Sequence, residues 1–266
     1  LVNKRRTTKQ LTRVKFFAHM PTVISLTLLI FLAGLSLLAP FIESLMGHDA
    51  NSADLLNRYE EPSITHPLGT DELGRDLLLR LLYGGQVSLL VGITAGLFAT
   101  IIGTCLGLIA GYFGGFLDSL LMRLTDSIIS LPLLPLLIVL AAIDLSKLGL
   151  PSSMTESEST NLFRIIFIIA LVGWTTVARL VRASTLSLKK QTFVIAARAQ
   201  GGSPLRIMFV HILPNLASPI IVATTLAVGN IILLESVLSF LGFGLQPPLP
   251  SWGNLLTNAQ ALIWEA

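Results

Sequence analysis

The sequence is poor in charge. Asp, Glu, Lys and Arg make up 12% of its 266 residues, against roughly 25% in ordinary soluble domains, while hydrophobic residues reach 53%. That balance excludes a water-soluble domain and points to an integral membrane protein. Cysteine is nearly absent: Cys105 is the one thiol and lies inside an apolar run, so no disulfide framework can form within the chain. The phosphate-binding pattern GxxxxGK[ST] is missing, which excludes ATP hydrolysis by this chain itself. HExxH, paired Cys sites and GxSxG are missing too. His19, His48, His66 and His211 are scattered without metal-ligand spacing, so no metal and no cofactor is expected on this chain. The basic residues are not interleaved with aromatics, which argues against nucleic-acid binding.

What is present is a series of apolar runs of about 20 residues, each long enough to cross a hydrocarbon core. They predict an all-α, polytopic membrane helix bundle with spans at about 23–42, 87–112, 119–143, 163–185 and 208–243. Residues 1–22 form a basic N-terminal segment and 23–266 the membrane domain. Six Lys or Arg and no acid lie between residues 3 and 15. The apolar run that follows exceeds a signal-peptide core and ends without a small-residue cleavage site, so it reads as an uncleaved first span. The segment 43–86 carries eight acids and three arginines. Within it Thr70 is expected to cap a helix with Asp71 and Glu72 in its first turn, lying along the outer surface on Leu77, Leu78, Leu81 and Leu82. His66 and Asp76 read as solvated loop residues. The second outer segment, 144–162, is rich in Ser, Thr and Glu, and the third spans 245–266, where Trp252 begins an interfacial helix.

Inside the spans a few residues stand out. Gly92 and Gly96, then Gly103, Gly107 and Gly111, recur at helical spacing on the second span and predict close helix approach, with gating flexibility as the alternative. Pro132 and Pro135 should kink the third span into a candidate wall of a pathway. Asp126 falls near its inner end. Glu235 is the one acid deep in an apolar run, facing a path or a partner span, or else fixing a packing contact. Arg179 and Arg182 can snorkel to headgroups.

Between the fourth and fifth runs lies TFVIAARAQGGSPLRIMFVHILP, residues 192–214. Thr192 can start a short helix, Gly201 and Gly202 stop it, and Ser203-Pro204 start another. Ala196-Ala197, Gly201 and Leu213-Pro214 resemble the cytoplasmic coupling loop of the membrane subunits of ATP-binding-cassette (ABC) importers. Ile195 replaces the Glu of the general pattern and His211 replaces an Ile, two departures that resemble the dipeptide/oligopeptide/nickel permease branch. HPLGTDELGRDLLLRLLYGG and the tail from Gln246 resemble the same branch.

The resemblance implies the type I importer membrane fold, five spans here of an expected six, with either the chain cut short before the last or that span absent. It implies a bacterial cytoplasmic (inner) membrane permease forming half of a peptide pathway. Loop 189–206 would seat in an ATP-binding subunit, with Ala196, Ala197, Arg198, Gly201, Arg206, Leu213 and Pro214 as the coupling residues. The partners implied are a second, different permease, two ATP-binding subunits carrying ATP and Mg, and an extracytoplasmic substrate-binding protein docking on the outer segments. Nickel or another small solute is the alternative cargo; an ion-driven secondary transporter or a non-transporting scaffold are the alternative classes.

Charge tests the orientation without the family. With the N-terminus in the cytoplasm, thirteen of the Lys and Arg fall inside, among them Arg123, Lys189, Lys190, Arg198 and Arg206, and five outside: Arg58, Arg75, Arg80, Lys147 and Arg164. The coupling loop is then expected on the side where ATP is found.

Overall fold

A computed structural model describes residues 19–143 and 157–265. The basic head and the outer tract 144–156 lie outside the described residues. The helices are α1 (Met20–Leu37), α2 (Ala39–Met46), α3 (Leu77–Phe113), α4 (Gly115–Ser130), α5 (Leu133–Ala141), α6 (Glu158–Leu188), α7 (Thr192–Ala199), α8 (Ala217–Phe240) and α9 (Trp252–Glu265). Among the described residues there is no strand, only an isolated bridge between Thr70 and Asp76. Four helical stretches are long and apolar enough to cross a membrane: Met20–Leu37, Leu77–Phe113, Ser159–Leu188 and Pro204–Phe240; α4 and α5, bent by 87° at their junction, make a fifth if they are one span.

The chain divides into two compact units, 1–86 and 87–266. In the first, α1 is apolar all round and only Ser36 is buried. In the acidic segment that follows, residues 51–65 are exposed, but the turn around Asp71 is buried. Asp71 is 1% exposed, and its Oδ1 accepts the backbone N–H groups of Leu73 and Arg75, both at 2.9 Å. Its Oδ2 takes the Arg75 Nε at 2.7 Å and stands 3.5 Å from the buried Arg80 Nε. Gly74, with φ +72°, lies so close to the Asp54 carbonyl that a Cβ there would stand 1.8 Å from its oxygen.

Three expectations are corrected here. Asp71 and Glu72 belong to this turn, closed by Gly74, and not to a helix capped by Thr70. The cap of α3 is Asp76, whose Oδ1 accepts the Leu79 N–H at 2.8 Å. No separate surface helix rides on the leucines: α3 runs unbroken from Leu77 to Phe113, Leu79 and Leu82 are buried, and Leu81 is exposed. The second span therefore begins ten residues earlier than 87. His66 and Asp76 are bonded to each other at 2.9 Å, with the His66 ring stacked on His48, so neither is a free loop residue.

In the second unit, α3, α5, α6 and α8 share a core in which Val91, Leu137, Ile165, Ile169, Ile231 and Leu238 are buried. The glycines of α3 serve two neighbours. Gly92 and Gly96 meet Ile232 and Val228 of α8, while Gly103, Gly107 and Gly111 meet the backbone of α6. Cβ atoms at those last three would lie 2.6 Å from the Trp174 carbonyl oxygen, 2.4 Å from that of Ala178 and 2.9 Å from that of Arg182. In a membrane, where apolar side chains gain little from leaving lipid, such close backbone approach supplies van der Waals contact that larger residues would forfeit.

The expected third span is two helices, α4 and α5, meeting at a break rather than one kinked helix. Leu131 is extended, with ψ 140°, as the residue before a proline is pushed to be, and Pro132 stands at the N-cap of α5. Pro135 then falls in the first turn of α5, where a missing N–H leaves no intrahelical bond unmade. The fifth span is also irregular: a π-helical turn at Ile207–Ile212 and a 3₁₀ turn at Leu213–Leu216 precede α8 and absorb Pro214. Its helical stretch ends at Phe240, three residues before the expected end at 243. α9 is more than an interfacial helix, since Ser251 is buried and the Gly253 position would put a Cβ 2.5 Å from the Ser236 carbonyl of α8.

The glycine contacts generate a direct test. Gly107→Val forces α3 away from α6 and is expected to destabilise the purified protein by about 1–3 kcal/mol, read as a fall in thermal midpoint in detergent. Gly34→Val, with open space around its Cβ position, is expected to leave the midpoint in place.

Candidate functional site

The segment between α6 and α8 is held from beneath and open from above. Gln191, not Thr192, stands at the N-cap of α7, with Thr192 the first helical residue. Val194 is fully buried, and Ala197, one turn on, packs against the same cluster of Leu108, Tyr112, Val181, Ile207, Met208 and Ile212. Phe193, Ile195, Ala196, Arg198 and Ala199 are exposed. An eight-residue helix is too short to hold itself together in water, so this pair of i, i+3 contacts fixes α7 in place.

Its end is set by the backbone. Gly201 has φ +80°, so glycine suits the left-handed conformation there, and within this chain there is open space around its Cβ position. Gly202 is not left-handed; a Cβ there would stand 2.8 Å from the Ala197 carbonyl oxygen. Ser203 caps the next turn, accepting the Arg206 N–H on its Oγ, with Pro204 first inside. Leu213 is half-buried and Pro214 exposed where the chain turns into α8, and Leu216 is buried behind them.

The cations of this region are not equivalent. The Arg198 guanidinium lies 5.6 Å from the Tyr112 ring centroid, whereas Arg206 is exposed. Lys189 Nζ donates to the Gly111 carbonyl at 2.7 Å and so ties the end of α6 to the last turn of α3. Arg182 makes a two-pronged ion pair with Asp118, its Nη2 at 2.6 Å from Oδ2, and Arg179 pairs with Asp126. The two arginines that could have snorkelled thus bind α6 to α4. Sequence pattern alone did not reveal these pairings. A basic and an acidic residue each repeating after several positions on two facing helices was the available signal.

Glu235 lies at the other end of α8 and is completely buried. Ser88 Oγ of α3 donates to its Oε2 at 2.9 Å and Ser239 Oγ to its Oε1 at 2.7 Å. Those hydroxyls in turn accept the backbone N–H groups of Trp252 at 3.2 Å and Leu245 at 3.1 Å. One carboxylate therefore joins α3, α8, the Leu241–Ser251 turn and the start of α9, and it opens onto neither a surface path nor a surface for another chain. Pro132 and Pro135 sit at the break between α4 and α5. Among the described residues no group of three His, Cys, Asp or Glu is arranged to hold a metal ion.

Residues 103–266, from the glycine contacts of α3 through α7 to α9, match the family described as binding-protein-dependent transport system inner membrane component. The chain belongs to that family. It is a multi-pass protein of the bacterial inner membrane and a permease of the dipeptide/oligopeptide/nickel branch. It is 40% identical over 246 residues to the Escherichia coli K12 oligopeptide transport system permease protein OppC, covering 92% of this chain and 76% of that one. The Alkalihalophilus pseudofirmus dipeptide transport system permease protein DppC is 38% identical over 232 residues, 87% of this chain and 71% of its own. The Bacillus subtilis OppC is 33% identical over 245 residues, 92% and 75%.

Two outcomes follow for this permease. Gly201→Val places a β-branched side chain at positive φ, a cost of roughly 1–2 kcal/mol, and is expected to speed hydrogen exchange of the α7 amides, whereas Gly201→Asn leaves them slow. Glu235→Leu strands the Ser88 and Ser239 hydroxyls and is expected to cost about 1–3 kcal/mol in thermal unfolding, with Glu235→Gln, which keeps an acceptor, costing less.

Proposed function

We propose that this chain is the membrane-spanning permease subunit of an ABC importer for peptides, forming half of the pathway. α7 is the contact through which ATP binding in a partner subunit biases the bundle between inward-open and outward-open arrangements. The observation that carries this reading is the construction of α7. It stands exposed on small and apolar side chains, is fastened on one face by Val194 and Ala197, and is sharply ended at Gly201. A helix so held can be gripped from outside and still move with α6 and α8. The peptide assignment is supported by relatives whose names specify oligopeptide and dipeptide transport. In the proposed topology the N-terminus and α7 are cytoplasmic, as the distribution of Lys and Arg favours.

The full assembly would hold this chain, a second and different permease, two ATP-binding subunits with ATP and Mg, and an extracytoplasmic binding protein docking on the outer segments. Loop 189–206 supplies the coupling residues, with Ala196 on the exposed face of α7. Ala197 has an inward role as well, so a charge there would disturb packing and docking together.

The test therefore uses Ala196. Ala196→Glu is expected to abolish co-purification of the ATP-binding subunits and ATP-dependent uptake of a labelled tripeptide into vesicles reconstituted with all partners, while membrane insertion and thermal midpoint stay unchanged. Normal uptake in that variant would overturn the role of α7. Wild-type uptake that survives ATP depletion but collapses with an uncoupler would replace the ABC reading with an ion-driven one.

A further inference from the structure

At the end of the bundle that carries α7, a recess of about 640 Å³ opens between the last turn of α3, the end of α6 and α7. Lys189, Lys190 and Arg198 supply its charge, Tyr112 and Phe113 an aromatic wall, and Ile195 an apolar edge. No acid lines it. Asp118, at the start of α4, is taken by Arg182, and among the described residues no carboxylate pairs with Lys189, Lys190 or Arg198. The partners those cations have are a carbonyl and a ring face: Gly111 C=O for Lys189 and Tyr112 for Arg198. Three like charges around one opening repel one another, and an anion placed among them removes that cost.

The position of the recess indicates which anion. The membrane-length apolar helix α3 ends at Phe113, which is 51% exposed at the rim. The opening therefore lies where the apolar surface of a span ends, the level at which aromatic rings and Lys or Arg meet phospholipid headgroups. The aromatic wall and Ile195 offer contact to the glycerol and first acyl carbons, which a free anion cannot use. We propose that this recess binds the phosphate of an anionic phospholipid headgroup. The inference rests on α3 being a span; because Lys189, Lys190, Ile195, Arg198 and Pro204 also belong to loop 189–206, the lipid would enter from the Phe113 side and leave the exposed face of α7 at Ala196 to the ATP-binding subunit.

Native mass spectrometry of the full chain, delipidated and titrated with phosphatidylglycerol, phosphatidylcholine or inorganic phosphate, tests it. Phosphatidylglycerol is expected to bind more tightly than phosphatidylcholine. Lys190→Gln and Arg198→Gln are each expected to weaken it about fivefold, at roughly one charge-to-surface interaction apiece. Arg206→Gln, an exposed cation outside the recess, is expected to leave it unchanged. An equal loss in Arg206→Gln would show only diffuse attraction to basic protein and overturn the site. Inorganic phosphate binding as tightly as the lipid would make a free anion the occupant and overturn the lipid assignment. Variants that keep phosphatidylglycerol but shed ATP-binding subunits would give the recess to acids of that partner, which also overturns it.

Discussion

The close approach of α3 to α6 is the constraint on which the second unit depends. At Gly103, Gly107 and Gly111 the two helices touch backbone to backbone, and any Cβ would collide with a carbonyl of α6. That contact fixes the register of the two helices. It brings the Gly111 carbonyl within reach of Lys189 and places Tyr112 under Val194 and Arg198. The platform beneath α7 is thus a consequence of three residues without side chains, some turns away. Widening the helix pair would lose dispersion contacts that lipid cannot replace and would remove the floor of the α7 segment as well.

The breaks in the helices follow from a second constraint: backbone groups freed inside a membrane must find partners. At Leu131-Pro132 the chain yields entirely and starts a new helix, because proline disfavours helical geometry in the residue before it. At Pro214 it yields less, rewinding through π and 3₁₀ turns so that carbonyls are still used. The Leu241–Ser251 turn is the deepest departure, and side chains supply its partners. Ser239 takes the Leu245 N–H, Ser88 takes that of Trp252, and Glu235 orders both hydroxyls. A carboxylate that only accepts is well suited here, since each serine can donate to it and still accept from the backbone.

Much of this architecture was legible in the sequence because periodicity and breakers are local. The spans, the glycine rows, the start at Ser203-Pro204 and the stop at Gly201 all came from spacing. What was not legible depended on contacts far apart in the chain. LGTDELGRD reads as a capped helix until the Asp54 carbonyl, some twenty residues earlier, is found against Gly74. Leucines at positions 77 to 82 suggest a surface helix because periodicity cannot show that the same helix continues through Tyr83-Gly84-Gly85. The inward packing of Ala197 was not legible either, since it depends on three-dimensional contacts. The partners of Asp118, Asp126 and Glu235 lie 64, 53 and 147 residues distant, beyond any motif.

These contacts also govern how far a push on α7 can travel. The helix is joined to the bundle through apolar packing at Val194 and Ala197, which permits sliding, but its flanks are joined through directional bonds. Lys189 is tied to α3, and Arg179 and Arg182 tie α6 to α4. If α7 is the coupling contact proposed above, a displacement entering there would reach α6 first and carry α3 and α4 with it, because separating the Arg182–Asp118 pair would leave half-buried charges without partners. The far end of α8 is bound to α3 through neutral hydroxyls on Glu235, so the two ends of that helix are held by different chemistry. Movement of α8 relative to α3 would therefore break the Ser88–Glu235 bond, and carrying α9 along with α8 would break the Ser88–Trp252 bond too. Only moving α3, α8 and α9 together keeps these buried polar groups satisfied, which makes the three a single mechanical body at that end.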